Sequence, residues 1–160
     1  MKKVHFIGIG GIGISAIARF LKERDFIISG SDIADSAITK ELRASGMKIT
    51  VPHCKTAIED PDFVVYSAAI KGDNVELLEA RKRGIECLSR KEALPFILEG
   101  KRVFAVAGAH GKSTTSAMLA ALMEGSAIIG AISKEFGSNM KYEASDNLIF
   151  EADESDSSFL

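Results

Sequence analysis

The sequence predicts an α/β fold built on parallel sheets, and three observations carry that prediction. Short apolar runs alternate with stretches of helical period along the first hundred or so residues. A Gly-rich turn, Gly8-Ile9-Gly10-Gly11-Ile12-Gly13, separates the first run from the first helical stretch. A second turn, Gly108-Ala109-His110-Gly111-Lys112-Ser113-Thr114-Thr115, separates a later run from a later helix. Short connections and right-handed crossovers make the first unit a Rossmann-like parallel sheet. The second turn opens a P-loop α/β unit.

Each element has its own signal. Val4, His5, Phe6 and Ile7 form the first strand, and Ile14, Ile17, Ala18 and Leu21 then recur at helical spacing. Residues 26–30 read as a second strand ending at Ser31 and Asp32. Residues 36–45 read as a helix, with Ser36 as N-cap and Gly46 as its stop. Residues 47–51 are a third strand, followed by Pro52 and His53. Residues 63–66 are a fourth strand that runs into Ser67, Ala68 and Ala69. A helix over 74–83 stops at Gly84, and 85–88 is the fifth strand. Ser89 caps a helix over 90–98 that Pro95 distorts. Glu99-Gly100-Lys101 is the boundary between residues 1–99 and an incomplete second unit, 100–160. There a buried strand over 102–107 precedes a helix over 116–123. Residues 125–142 read as a loop, 144–147 as a turn and 148–150 as a strand.

Composition excludes several classes. A net charge of −2 gives no sign of broad nucleic-acid binding. Cys54 and Cys87 lack CxxC spacing and read as thiols in a reducing compartment. No apolar stretch reaches the ~20 residues of a membrane span. Met1-Lys2-Lys3 leads straight into a strand with no signal-peptide pattern, so the cytoplasm is expected. The second unit is too short for a full nucleotide-binding core, which reads the chain as the front of a longer protein.

The first turn satisfies GxGxxG with Gly8, Gly10 and Gly13, and Asp32 ends the second strand. In a dinucleotide-binding fold that acid takes ribose hydroxyls, so NAD is one reading. The physics is broader, because the turn's N–H groups suit any pyrophosphate, including that of a UDP-sugar. His53 and Ser67 follow strands at the same edge and are candidate ligand contacts; His53 fits a solvated or capping role as well. His5, within the first strand, reads as packing.

The second turn is a phosphate cradle with a lysine in it. Its backbone N–H groups and the helix N-terminus attract phosphate, Lys112 adds a full charge, and the Ser113 hydroxyl can bind Mg²⁺. The loop is shorter than the standard pattern, because Val106 stands where the first glycine belongs. A dehydrogenase needs only the first turn and a simple NTPase only the second. An ATP-dependent enzyme acting on a nucleotide-linked substrate needs both.

Together with Glu151-Ala152-Asp153-Glu154-Ser155-Asp156, the two turns resemble the Mur ligases. The resemblance implies ATP-dependent ligation of L-alanine to UDP-N-acetylmuramate through an acyl phosphate in peptidoglycan precursor synthesis. It implies that Gly10, Gly11, Gly13, Ser15, Asp32 and Ser67 hold the UDP part, with His53 beside them. Gly108, Ala109, His110, Gly111, Lys112, Ser113 and Thr114 would hold ATP. Lys112 and His110 would act on the phosphates, and Ser113 and Glu151 would hold Mg²⁺. Asp153, Glu154 and Asp156 fit a solvated acidic loop as well as a substrate or metal role. Ala109 and Ser113 replace the family's usual threonines. An NAD-dependent oxidoreductase and a stand-alone nucleotide-binding module are the rival readings.

Overall fold

The computed structural model describes residues 1–152. Strands β1 (Lys3–Ile7), β2 (Ile27–Ser31), β3 (Lys48–Thr50), β4 (Phe63–Tyr66) and β5 (Glu86–Ser89) form a parallel sheet in the order β3-β2-β1-β4-β5. Helices α1 (Ile12–Lys22), α2 (Ala37–Ala44) and α3 (Val75–Lys82) connect β1 to β2, β2 to β3 and β4 to β5. The strand order reverses between β1 and β4, and a crevice at such a switch point is where open α/β sheets bind ligands. β1 and β4 are apolar runs because helices cover both faces of the sheet.

Helix starts follow the expected chemistry. The Ser36 side chain accepts from the Thr39 N–H in a capping box at α2. Asn74 Oδ1 accepts from the N–H groups of Glu76 and Leu77 at α3. Ser89 and Glu92 form a second capping box at α4 (Arg90–Leu98), which continues through Pro95.

The second sheet contains β6 (Arg102–Val106), β7 (Ser126–Ile128), β8 (Met140–Lys141) and β9 (Asn147–Glu151), in the order β6-β9-β7-β8 with β8 antiparallel. Helix α5 (Lys112–Leu122) follows β6. Three expectations need correction here. α5 begins at Lys112, four residues earlier than residue 116, because Gly111 takes the left-handed conformation (φ 79°) and turns the chain directly into the helix. The loop over 125–142 contains β7 and β8, strands too short to show a period. β6 is an edge strand with Arg102 and Ala105 exposed, so it is not the buried strand expected.

Helix α1 explains how the sheets meet. Ile14, Ser15, Ala16, Ile17, Ala18, Phe20 and Leu21 are all buried, far more than one amphipathic stripe. The helix packs on β2 of the first sheet and on β7 and β8 of the second. One apolar cluster therefore runs from Val4, Phe6 and Phe20 to Ile128, Leu148 and Phe150. The boundary near Gly100 separates two sheets, and the core is continuous across it.

Candidate functional site

A cavity of about 630 Å³ opens at the carboxyl ends of β1, β2 and β4, and its walls include Gly8, Gly10, Gly11, Asp32, His53 and Ser67. Gly8 has φ 80°, and a Cβ there would stand 3.1 Å from Ser67 Cβ. Glycine is what lets β1 and β4 end side by side at this edge.

The hydrogen bonds revise what the turn can offer. The N–H groups of Gly8 and Ile9 donate to the Ser31 carbonyl, and that of Gly11 donates to the Gly8 carbonyl. Gly10 N–H donates to Asp32 Oδ2 at 2.7 Å, and Ile33 N–H donates to Asp32 Oδ1 at 2.8 Å. The turn's own amides are thus engaged within the protein. Asp32 serves first as the brace of the turn. The donors left for an anion are the first-turn N–H groups of α1, on Ile12, Gly13 and Ile14, which no helix carbonyl can reach.

Two of the expected residues do not line this cavity. Gly13 packs against the Arg90 guanidinium, where a Cβ would stand 3.1 Å from Cζ. Ser15 is fully buried; its hydroxyl donates to the Ile12 carbonyl at 3.0 Å and accepts from Asn139 Nδ2 at 2.8 Å. Ser15 therefore joins the two units and does not face the cavity.

Beneath the cavity is a polar network that the sequence did not single out. Glu76 is fully buried in the first turn of α3. Its Oε2 accepts from Ser31 Oγ at 2.5 Å and from His5 Nε2 at 3.1 Å, and its Oε1 accepts from Cys54 N–H at 2.7 Å. His5 Nδ1 meets Ser29 Oγ at 2.9 Å, and Ser31 Oγ meets His53 Nδ1 at 2.8 Å. Burial pushes the Glu76 carboxyl up, but the hydrogen bonds from His5, Ser31 and Cys54 outweigh it and hold the group below its ordinary value. His5 thus belongs to a network as well as to the packing. An acid in a helix's first turn ordinarily reads as a partner of the helix dipole, which hid Glu76. The available signal was its place on the Glu76, Leu77, Ala80 face of α3.

The second turn brings its residues together around one space. Ala109, His110, Gly111, Lys112, Ser113, Thr114 and Glu151 line one cavity of about 290 Å³. Gly108 lies in the positive-φ region, and Lys112 Nζ donates to its carbonyl at 2.8 Å, so the lysine is folded onto its own loop. The parallel pairing of β6 with β9 sets Glu151 beside Val106, at the mouth of the loop. Ser113 Oγ donates to Glu151 Oε1 at 3.0 Å, and Glu151 Oε2 accepts from Gly130 N–H at 2.7 Å. A hydroxyl and a carboxylate in contact are the hard-oxygen pair that Mg²⁺ takes when phosphates and water complete its shell. Asp153, Glu154 and Asp156 lie outside the described residues.

A third cleft, about 270 Å³, joins the two halves. Ile12, Gly13 and Arg90 line one side, and Lys112, Gly130 and Glu151 line the other. The N-terminus of α1 and the lysine of the second turn therefore share one space.

Two glycine turns border one cleft of this α/β protein, and residues 3–102 match the family model for the Mur ligase family, catalytic domain; the chain belongs to the Mur ligase family. It is 76% identical over 160 residues to the UDP-N-acetylmuramate–L-alanine ligase of Campylobacter curvus, covering the whole of this chain and 37% of that protein. The crystal structure of the UDP-N-acetylmuramate–alanine ligase of Thermotoga maritima superposes with a TM-score of 0.85 at 31% identity, over 94% of this chain and 37% of that one. A UDP-N-acetylmuramate:L-alanyl-gamma-D-glutamyl-meso-diaminopimelate ligase from Neisseria superposes with a TM-score of 0.88 at 28% identity, over 98% of this chain and 54% of that one. The chain thus spans little more than a third of the length of the curated ligases it matches. Among the described residues no helix is long and apolar enough to cross a membrane.

Proposed function

We propose that this chain is the UDP-sugar-binding front of an ATP-dependent, ADP-forming carboxylate–amine ligase that joins L-alanine to UDP-N-acetylmuramate. The observation that carries this reading is the shared cleft, where the α1 N-terminus and Lys112 face one space. A nucleotide sugar bound at the first turn extends past α1 toward the phosphates held at the second. The acceptor follows the relative at 76% identity, since the two superposed ligases differ in acceptor yet share the fold.

In this reading a carboxylate oxygen of the UDP-sugar attacks the γ-phosphorus of ATP and displaces ADP. The amine of L-alanine then attacks the acyl carbon, and phosphate leaves. No enzyme nucleophile is needed, so the protein contributes position and charge. Lys112 leaves the Gly108 carbonyl to neutralise the β- and γ-phosphates. Ser113 and Glu151 would hold Mg²⁺, which would supply positive charge against that of the phosphates. His110, exposed on the loop, is a polar group at the phosphate edge. Asp32, Ser67 and His53 line the cavity for the nucleoside end.

Calorimetric titration with UDP-N-acetylmuramate and, separately, NADH tests the reading. Saturable binding of the UDP-sugar supports it; tight NADH binding with no response to the UDP-sugar refutes it. The 160-residue chain alone is expected to release no phosphate from ATP when both substrates are present. Substrate-dependent phosphate release by this chain would show that the two turns suffice.

A further inference from the structure

We infer that Glu76 is a positioning residue that acts through Ser31 to present His53 to the cavity as a hydrogen-bond acceptor. The inference rests on the proposed binding of a nucleotide sugar in that cavity. It follows from counting protons along the network. Glu76 is ionised and can only accept. Cys54 contributes a backbone N–H, a fixed donor, to Oε1. Ser31 Oγ must then spend its single proton on Oε2, at 2.5 Å. An oxygen that has given its proton to Glu76 can only accept from His53, so the nitrogen 2.8 Å away, Nδ1, carries a hydrogen. Neutral imidazole has one N–H, and His53 Nε2 is left with a lone pair. His5, on the far side, donates from Nε2 to the same carboxylate and accepts from Ser29 at Nδ1.

His53 lines the cavity while its Nδ1 edge is held inside. The ligand group that suits Nε2 is therefore a donor, the imide N–H of a nucleobase or a sugar hydroxyl. A phosphate oxygen would meet the lone pair unfavourably. Anion binding belongs instead to the α1 N-terminus, which lines the other cleft.

Glu76→Gln gives a specific test because the carboxamide fits only one way round. Cys54 N–H requires the amide oxygen at the Oε1 position, which puts the NH₂ opposite Ser31. The NH₂ then donates to Ser31 Oγ and to His5 Nε2, His5 carries its proton at Nδ1 toward Ser29, and Ser31 donates to His53 Nδ1, which moves the His53 proton to Nε2. The experiment uses full-length protein labelled with ¹⁵N at histidine, with the His53 signals assigned by their loss in His53→Ala. Wild type is expected to show protonated Nδ1 and bare Nε2, and Glu76→Gln the reverse. Affinity for UDP-N-acetylmuramate, by calorimetry, is expected to fall about threefold to tenfold in Glu76→Gln, one hydrogen bond's worth. A merely structural Glu76 would leave the tautomer unchanged.

Protonated Nε2 in wild type overturns the inference, and that measurement needs neither a ligand nor a Glu76 variant. A folded Glu76→Gln protein with wild-type affinity also overturns it. Failure of wild type to bind the UDP-sugar, with the expected tautomer present, refutes the proposed function and leaves the positioning of His53 standing.

Discussion

Asn139 is the side chain through which the second unit holds the entry to α1. It is fully buried, and its Nδ2 donates to the Ile12 carbonyl at 2.6 Å and to Ser15 Oγ at 2.8 Å. Asn139→Ala removes two hydrogen bonds, each with a net worth of about 0.5–1.5 kcal/mol. Ile12 O and Ser15 Oγ keep each other at 3.0 Å, so neither is orphaned. The substitution also removes Oδ1, which is buried without a partner among the described residues. Both facts place the loss at the lower end, about 1–2 kcal/mol. For a chain of this size that corresponds to a fall in Tm of roughly 2–8 °C. Asn139→Asp has the same shape but sets a carboxylate oxygen against the Ile12 carbonyl. It should cost more than Ala at pH 7, because the charge is buried with only the Ser15 hydroxyl able to turn and donate to it, at the expense of its bond to the Ile12 carbonyl. The neutral acid can still donate, so its folded pKa is raised above the ordinary ~3.9. The folded state then holds the proton more tightly than the unfolded state, and stability falls as pH rises from ~3.9 through the folded value. The assay is thermal unfolding of wild type and both variants at pH 7 and near pH 4. Equal Tm for Ala and Asp at pH 7, with no relative gain for Asp on acidification, would refute the assigned donor and the coupling of the units through it.

Three further outcomes are expected. Gly30→Ala places a Cβ 2.6 Å from Ile9 Cδ1 and 2.8 Å from the Phe6 carbonyl, and because the second is backbone the loss should reach about 2–3 kcal/mol; the urea midpoint of unfolding measures it. Glu76 is held below its ordinary value of 4.5, so its contribution is fully present above pH 4.5 and is lost as pH falls through the lower folded value; Glu76→Gln should flatten the acid limb of the stability–pH curve. In the full-length enzyme, Lys112→Ala should abolish turnover while UDP-N-acetylmuramate binding survives, since Lys112 does not line the larger cavity; calorimetry with the UDP-sugar and a phosphate-release assay check the two halves.

The strand and helix pattern of residues 1–99 was readable because each signal was local. Ser36, Asn74 and Ser89 cap helices through bonds that reach only two or three residues. The residues of the second turn were readable for the same reason, since Gly108 to Ser113 are contiguous. What stayed hidden depends on distant pairs. The family resemblance names Ser15 as a ligand contact, and its bond to Asn139, 124 positions away, is one no local signal could show. Glu76 joins His5, Ser31 and Cys54, which come from three separate segments. Nor does spacing reveal that Asp32 occupies the Gly10 amide, because the GxGxxG pattern is the same whether that amide faces a ligand or a carboxylate.

The shared core constrains how the two turns can work together. Separating the sheets would expose Ile128, Leu148 and Phe150, all nearly or fully buried in the cluster that includes Phe20 and Leu21. At about 1.5–3 kcal/mol for each large side chain, that exposure approaches the ~5–15 kcal/mol that holds a typical domain together. A hinge between the two sheets is therefore too costly to open in each catalytic cycle. Gly13 and Lys112 already line one cleft in the absence of a ligand. Under the proposed function, such preformation would suit a phosphoryl transfer whose catalysis is mainly alignment, because the two turns would bring the acceptor carboxylate and the γ-phosphate into line. It also makes α1 the element on which alignment depends. A substitution that shifts this helix by a fraction of an ångström moves the anion-binding N–H groups relative to Lys112 and should lower kcat more than it weakens binding at the larger cavity.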